Sequence, residues 1–380
     1  MASLIGRGEM VDMLAASFVN AAAANVLDHD DTQLTTLLHP SAAVFAPVLA
    51  LAGQSRCDGV RVLHAFAIGI ETACRLATDV SPTHYRHGWH ITATCGSVGA
   101  AAACAWLLRF DESQAAEALR ATALQSAGLV VNLGYAAKSV GVGQAAEAGL
   151  RSALLVQSGI IECCARAPTE APICRTEPAR WHLHEVAIKP YPCGVVLNPV
   201  IEAVLQIAAS EEGMPRGAAE IVRVDVEGNE LLLERADRPG VQTGREAKLS
   251  IQHSVAIALL RRRIGVDEYS DAAVQDPAVM SLRAKVHARA VPDLSIEQAR
   301  VRVEWQGGVV TNASVDHSGT RPDLQMSDSA VRDKALALFR SRSHPSAHAL
   351  VEAMWSIDRC RDVSALIDSM RLDAIHTTEH

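Results

Sequence analysis

Asp28, Asp30, Asp31 and Thr32, in the segment LDHDDT, interrupt an Ala-rich stretch and are followed by His39-Pro40-Ser41. Carboxylates and an imidazole are the usual side chains for moving a proton at neutral pH. Asp28 and Thr32 stand four residues apart, a spacing that puts both on one face of a helix; capping of a helix end is the plainer account of the same cluster. Gly88-Trp89-His90-Ile91-Thr92 runs into an apolar segment. That places His90 at an expected helix N-terminus, where an imidazole can meet an anionic ligand. Lys138 follows the apolar stretch GLVVNLGYAA and precedes glycines, so it either snorkels to water or holds an anion. Lys189 opens KPYPC, which reads as a rigid linker or as the wall of a cleft between domains.

Two other patterns fail on context. HYRHGWH spaces His84, His87 and His90 three apart, but Gly88 and the turn-like SPTHYRHG argue against three ligands on one helical face. His84 and His87 read as solvated loop residues, and no metal is expected. Gly141-Val142-Gly143-Gln144-Ala145-Ala146 matches GxGxxA, with Glu162 at a dinucleotide-like distance. No buried strand precedes it, so it reads as a glycine-rich entry to a helix starting near Gln144. The nine cysteines are irregularly spaced, Cys163 and Cys164 adjoin, and no CxxC pair occurs; they read as reduced thiols. No cofactor is expected.

The elements that position these groups follow from periodicity. Met10 to about Ala167 carries Ala, Leu and Val at helical spacing, and Gly96 to Leu108 is apolar nearly all round, as a helix inside a bundle must be. Five prolines between Pro168 and Pro192 stop the pattern. Beyond them Asn198 to Ala209 reads as a helix and Ile221 to Val226 as a strand. Val301, Val303 and Trp305 alternate before a Gly307-Gly308 turn and a returning strand, Val309 to Val315. Helices are expected at Leu249 to Arg263 and Asp276 to Lys285, and helical texture resumes at Ser327. The fold class is therefore mainly α: a large all-helical domain over residues 1–178, an inserted smaller α+β domain over 186–321, and C-terminal helices over 322–380 that return to the first.

Of the 380 residues, 49% are hydrophobic and 21% charged, which excludes a mainly disordered chain. The net charge of -8 lacks a nucleic-acid footprint. Apolar windows are short, so no membrane span is expected, and acidic residues arrive before any apolar run in MASLIGRGEMVD, unlike a signal peptide. A cytoplasmic protein is expected.

Four ordered motifs, LDHDDT…HPS, GWHITATCGSVGAAAA, SAGL…NLGYAAKSVGVGQAAEAG and KPYPCGVVLNPVIEA, resemble the MmgE/PrpD family over nearly the whole chain. Its members include 2-methylcitrate dehydratases, cis-aconitate decarboxylases and iminodisuccinate epimerases. The resemblance implies a helical domain with an α+β lid, an active site between the two, and a homodimer. Positions matching family site residues are Asp28, Thr32, His39, His90, Lys138 and Lys189, with His253 in AKLSIQH standing where the decarboxylase has an aromatic hydroxyl. The implied chemistry is a cofactor-free lyase reaction, hydration or dehydration of a small di- or tricarboxylate. Asp28, His39 and His90 would be catalytic; Thr32, Lys138, Lys189 and His253 would bind substrate. An epimerase at the same site and a non-catalytic scaffold are the alternatives. The family also has helices ahead of the segment that begins this chain, so a shortened form or a misassigned start is expected, with apolar faces uncovered on helices such as Met10 to Leu27.

Overall fold

The structure, a computed structural model, describes residues 1–161, 181–210, 217–317, 326–340 and 346–371. Glu162, Cys163, Cys164, Pro168, Pro172 and Pro178 lie outside them. Backbone contacts separate a helical unit (Met1–Val26, Asp30–Ile188 and the chain from Ser327) from an α+β unit (Leu27–His29 and Lys189–Met326).

The helical unit opens on two short paired strands, β1 (Ala2–Ser3) and β2 (Met10–Val11). α1 (Met13–Asn25) begins where the Asp12 carboxylate accepts from the amides of Leu14 and Ala15. β3 (Asp31–Gln33) precedes α2 (Pro40–Ala52), whose first position is a proline, where a missing N–H costs nothing. α3 (Gly59–Val80), the one-turn α4 (Thr83–Arg86), α5 (Ile91–Leu107), α6 (Glu112–Ala123), α7 (Ala136–Gln157) and β4 (Val186–Ile188) complete this run. β3 and β4 pair antiparallel, Asp31 opposite Ile188 and Gln33 opposite Val186.

α5 is buried on nearly every side, and α2, α3, α6 and α7 pack around it. Small residues make this possible. A Cβ on Gly99 of α5 would lie 2.5 Å from the Gly69 carbonyl oxygen of α3, and one on Gly149 of α7 would lie 2.7 Å from the Ser97 carbonyl oxygen of α5. Only hydrogen fits at those crossings, so the backbones touch without intervening side chains.

The α+β unit contains α8 (Asn198–Ala209), β5 (Ile221–Gly228), α9 (Glu230–Ala236), α10 (Gly244–Ala247), α11 (Ile251–Arg261), α12 (Asp271–Val274), α13 (Pro277–Arg283), β6 (Val286–Ala290), β7 (Gln298–Trp305) and β8 (Val310–Asp316). The sheet order is β6-β5-β7-β8, with β5 and β6 parallel and the rest antiparallel. Val224, Val226, Val301, Val303 and Trp305 face a core shared with α8 and α11. The alternate residues face outward as a ladder of ions, Asp225 with Arg223 and Arg302, Glu227 with Arg289 and Arg300, the charge pattern of a solvated sheet face. Gly307 and Gly308, at φ +86° and +80°, turn the β7–β8 hairpin. α14 (Asp328–Arg340), α15 (Ala347–Trp355) and α16 (Ser364–Ser369) belong to the helical unit. The fold is mainly α with a smaller α+β part. Among the described residues, no helix is long and apolar enough to cross a membrane.

Three sequence expectations are corrected here. LDHDDT is not helical: α1 stops at Asn25, Asp28 is left-handed at φ +54°, and Thr32 lies in β3, so Asp28 and Thr32 share no helical face. The β3–β4 pairing, made with a distant segment, overrides the local helical texture. Gly141 and Gly143 lie inside α7, which starts at Ala136 and not near Gln144; a Cβ on Gly143 would meet the Phe18 carbonyl oxygen at 2.7 Å. His84 is half-buried on α4, its Nε2 2.8 Å from Thr94 Oγ1 and its ring stacked on Trp89, while His87 is exposed. The described cysteines are free thiols, with Cys57, Cys74, Cys95, Cys104 and Cys193 buried and Cys360 half-buried. Burial pushes the thiols of Cys95, Cys104 and Cys193 up to about 12.

Replacing Gly99 by Val tests the crossing of α3 and α5. Overpacking against a carbonyl is expected to destabilise the protein by about 1–3 kcal/mol or more, seen as a lower urea midpoint. Gly240→Ala, where an added Cβ meets nothing within 4 Å, is expected to stay within about 0.5 kcal/mol. Equal midpoints for the two variants would show that the crossing is not tight.

Candidate active site

Three helix N-termini of the helical unit approach one another. His39 caps α2, and its backbone N–H donates to Thr92 Oγ1 at 3.1 Å, on the second residue of α5. His90 caps α5, and its N–H donates to the Gly128 carbonyl at 3.0 Å. Lys138 is the third residue of α7, and a Cβ on Gly141, one turn on, would sit 3.6 Å from the Ala93 Cβ of α5. From the end of α1, Asn25 accepts from Ser139 Oγ at 3.0 Å and donates to Asp30 at 2.5 Å. Helix N-termini present unsatisfied N–H groups and a partial positive charge, so this end of the bundle suits an anionic group. His90 and Lys138 are buried, at 5% and 8% exposure. Of the two readings open from sequence, snorkelling to water does not describe Lys138, which is buried although Tyr135, Ala136, Ala137 and Val140 around it at the start of α7 are exposed.

The densest polar geometry surrounds His39. Its Nδ1 lies 2.8 Å from the Asp31 carbonyl oxygen and 2.9 Å from Thr32 Oγ1. A carbonyl oxygen only accepts, so the neutral ring carries its proton on Nδ1 and its lone pair on Nε2, the arrangement of a proton acceptor. Thr32 is fully buried and fixes the same edge of the ring. The Asp31 carboxylate accepts from Ser41 Oγ at 2.5 Å and from the Ser41 amide at 3.2 Å. Removal from water, and to a lesser extent the Asp30 charge, push the Asp31 carboxyl up to about 6 despite those donors.

Asp28, Lys189 and His253 lie in the α+β unit. Lys189, 2% exposed, donates to the Asp28 carbonyl at 3.5 Å. A second buried lysine, Lys248, accepts the Gly194 amide on its carbonyl at 2.9 Å. Both ammonium groups act on the Cys193 thiol, although burial outweighs them and keeps it protonated. His253 is fully buried, with Nε2 2.8 Å from the Glu268 carbonyl oxygen and Nδ1 without a hydrogen-bond partner. Desolvation lowers its pKa to about 4. It is therefore a neutral acceptor at pH 7, and neither a cation nor an acid. Tyr269, whose ring centre is 5.5 Å away, places its hydroxyl 2.9 Å from Ser254 Oγ.

Lys248 escapes the sequence reading except as a letter of AKLSIQH, whereas Asp31, Ser41 and Thr92 are named there only as members of motifs, without a role of their own. Asp31 and Ser41 stand inside quoted motifs, but their contact depends on the chain reversing between β3 and α2, where Leu37 is left-handed at φ +61°. Among the described residues, no three His, Cys, Asp or Glu side chains are placed to hold a metal ion.

The Asp31 shift has a sign that can be measured. Its carboxyl pKa is raised from 3.8 to about 6, so its stabilising contribution is complete below about pH 3.8 and is lost as pH rises through 6. Asp31→Asn removes this titration. Between pH 4 and pH 7.5, the stability of the variant relative to the wild type is expected to rise by up to about 2–3 kcal/mol, read by urea unfolding at the two pH values. A difference that does not change with pH would show that the carboxyl is not desolvated.

Comparison with known proteins gives the lineage. Residues 1–162 match the MmgE/PrpD N-terminal domain and residues 191–357 the MmgE/PrpD C-terminal domain. Cis-aconitate decarboxylase of Homo sapiens is 24% identical over 382 residues, covering 92% of this chain and 78% of that protein. The enzyme of the same name from Mus musculus is 26% identical over 306 residues, covering 73% and 61%. That of Aspergillus terreus is 22% identical over 411 residues, covering 96% and 82%. With both family domains matched in order along most of its length, the chain belongs to the MmgE/PrpD family.

Proposed function

We propose that this protein is a lyase that transfers a proton at a carbon next to a carboxylate of a small di- or tricarboxylate, adding or removing water on a 2-methylcitrate-like substrate. The observation that carries this reading is the His39 ring, held by Asp31 and Thr32 with its lone pair on Nε2, on a helix N-terminus beside that of α5. In the dehydration direction, His39 takes the proton from carbon, and the electron pair moves into the adjacent carboxylate. The helix N-termini and the Lys138 ammonium stabilise that charge. The carbon–oxygen bond to the neighbouring hydroxyl then breaks, the double bond forms, and an acid protonates the departing hydroxide to water. His90 and Asp28 are the proposed acids, and Lys189 is a further cation for a carboxylate. No redox step occurs, so protein acid and base groups suffice.

The names of the relatives support a polycarboxylate substrate and favour decarboxylation as a second reading. His253 weighs against it, because a neutral imidazole anchored to the Glu268 carbonyl supplies no acidic hydroxyl at the position where the decarboxylase resemblance implies one. Epimerisation would share the first proton transfer and return the proton to the opposite face.

A panel of 2-methylcitrate, citrate, cis-aconitate and iminodisuccinate in deuterated water separates these outcomes. Water loss or addition with deuterium at the carbon next to the carboxylate is expected for 2-methylcitrate or citrate. Release of carbon dioxide from cis-aconitate, or inversion of iminodisuccinate without elimination, would replace the leading reading. With the substrate in hand, His39→Asn is expected to lower kcat by about 10²- to 10⁴-fold. Lys138→Met, chosen because the position is buried, should raise KM by about tenfold or more, as loss of a charge-assisted contact does. A collapse in melting temperature with an unchanged KM would make Lys138 structural. A homodimer through the helical unit is part of the proposal, supported by exposed Leu124, Leu129, Val131 and Tyr135 between α6 and α7; light scattering that gives one chain of 40.4 kDa would oppose it.

A further inference from the structure

We propose that Asp31 is the positioning residue for His39, fixing the tautomer in which Nε2 is the proton acceptor by gripping the histidine from both sides. One side is the ring: the Asp31 carbonyl oxygen accepts from Nδ1 at 2.8 Å. The other is the backbone just beyond it: the Asp31 carboxylate holds the amide and the hydroxyl of Ser41, two residues further on, at 3.2 and 2.5 Å. The His39 amide is pinned independently by Thr92 Oγ1. With the chain fixed on both flanks, a ring flip would set a carbon where Nδ1 now meets the carbonyl. The opposite tautomer would point two lone pairs at each other across 2.8 Å.

Capping alone does not account for this residue. Serine, threonine or asparagine caps a helix start without the desolvation that pushes the carboxyl of half-buried Asp31 upward. Ser41 is the second residue of α2, and the helix's own N-cap, His39, makes no side-chain capping bond. The Asp31 carboxylate therefore takes the Ser41 amide as a cap would and adds the Ser41 hydroxyl, which capping does not require. Asp31 thus spends its side chain on holding its own carbonyl against the imidazole, as outer-sphere partners of functional histidines do. Of its neighbours, Asp30 is held by Asn25, and Thr32 places its hydroxyl against the same ring nitrogen without touching Ser41.

This inference rests on the proposed role of His39, and its test separates the two. Nitrogen-15 NMR of histidine-labelled protein at neutral pH reads the tautomer directly, without substrate. The wild-type ring should carry its proton on Nδ1. Asp31→Ala and Ser41→Ala should move a measurable share of it to Nε2 and lower kcat by about 10- to 100-fold with KM nearly unchanged. Asp31→Asn, which keeps an acceptor for the Ser41 amide, should retain the wild-type tautomer. A wild-type proton on Nε2, or an unchanged tautomer in a folded Asp31→Ala or Ser41→Ala protein, overturns the proposal. Should Asp31→Ala fail to fold, Ser41→Ala carries the decision. A tautomer that shifts as stated with turnover unaltered supports the positioning role and overturns instead the assignment of His39 as the base.

Discussion

Contact of backbone on backbone at the glycine crossings of α5 is the constraint from which the helical unit follows. An aromatic content of 4% leaves few large side chains to fill a core, so attraction between helices has to come from short separations between small groups. Gly69 against Gly99 and Gly149 against Ser97 set those separations. The same close packing brings the start of α5 within a hydrogen bond of the start of α2, and within van der Waals reach of the first turns of α7. Positive helix ends would repel one another if left alone. Their meeting is reasonable where an anion or a lone-pair donor such as His39 belongs.

Against this economical core, the surroundings of His39 are costly. A carboxyl whose pKa climbs to about 6 and a left-handed leucine at position 37 both lower stability, the first on the residue whose carbonyl meets the imidazole and the second two residues before it. Strain and desolvation concentrated around one titratable ring are the usual mark of a place selected for chemistry rather than for packing. The α+β unit shows a parallel case, with two buried lysines near a thiol that stays protonated.

Much of the fold is legible in the sequence because it is local. The β7–β8 hairpin follows from alternation around Gly307-Gly308, α8 and α11 from their apolar periodicity, and the burial of α5 from its lack of a polar stripe. The misread segments depend on distant partners. LDHDDT looks like a helix interruption until β4 arrives to pair with its second half, and the glycines of GVGQAA suggest a helix entry until Phe18 on α1 is seen to need the space at Gly143. The same limit applies to chemistry. Thr32 and His39 could be named from a motif, but the lone pair on Nε2 could not, since it depends on a main-chain carbonyl contact. The neutrality of His253 likewise follows from burial beside Glu268, which no spacing reveals.

The buried thiols of the fold carry a practical consequence. Alkylating reagents attack the thiolate, and groups whose ionisation is pushed up to about 12 inside a packed core, such as Cys95, Cys104 and Cys193, react only when their surroundings open. Cys95 and Cys104 sit on the central helix of one unit, whereas Cys193 lies in the core of the other. Each unit thus contains its own chemical clock. Residue-resolved labelling rates would time the opening of the helical and α+β cores separately, without an introduced probe.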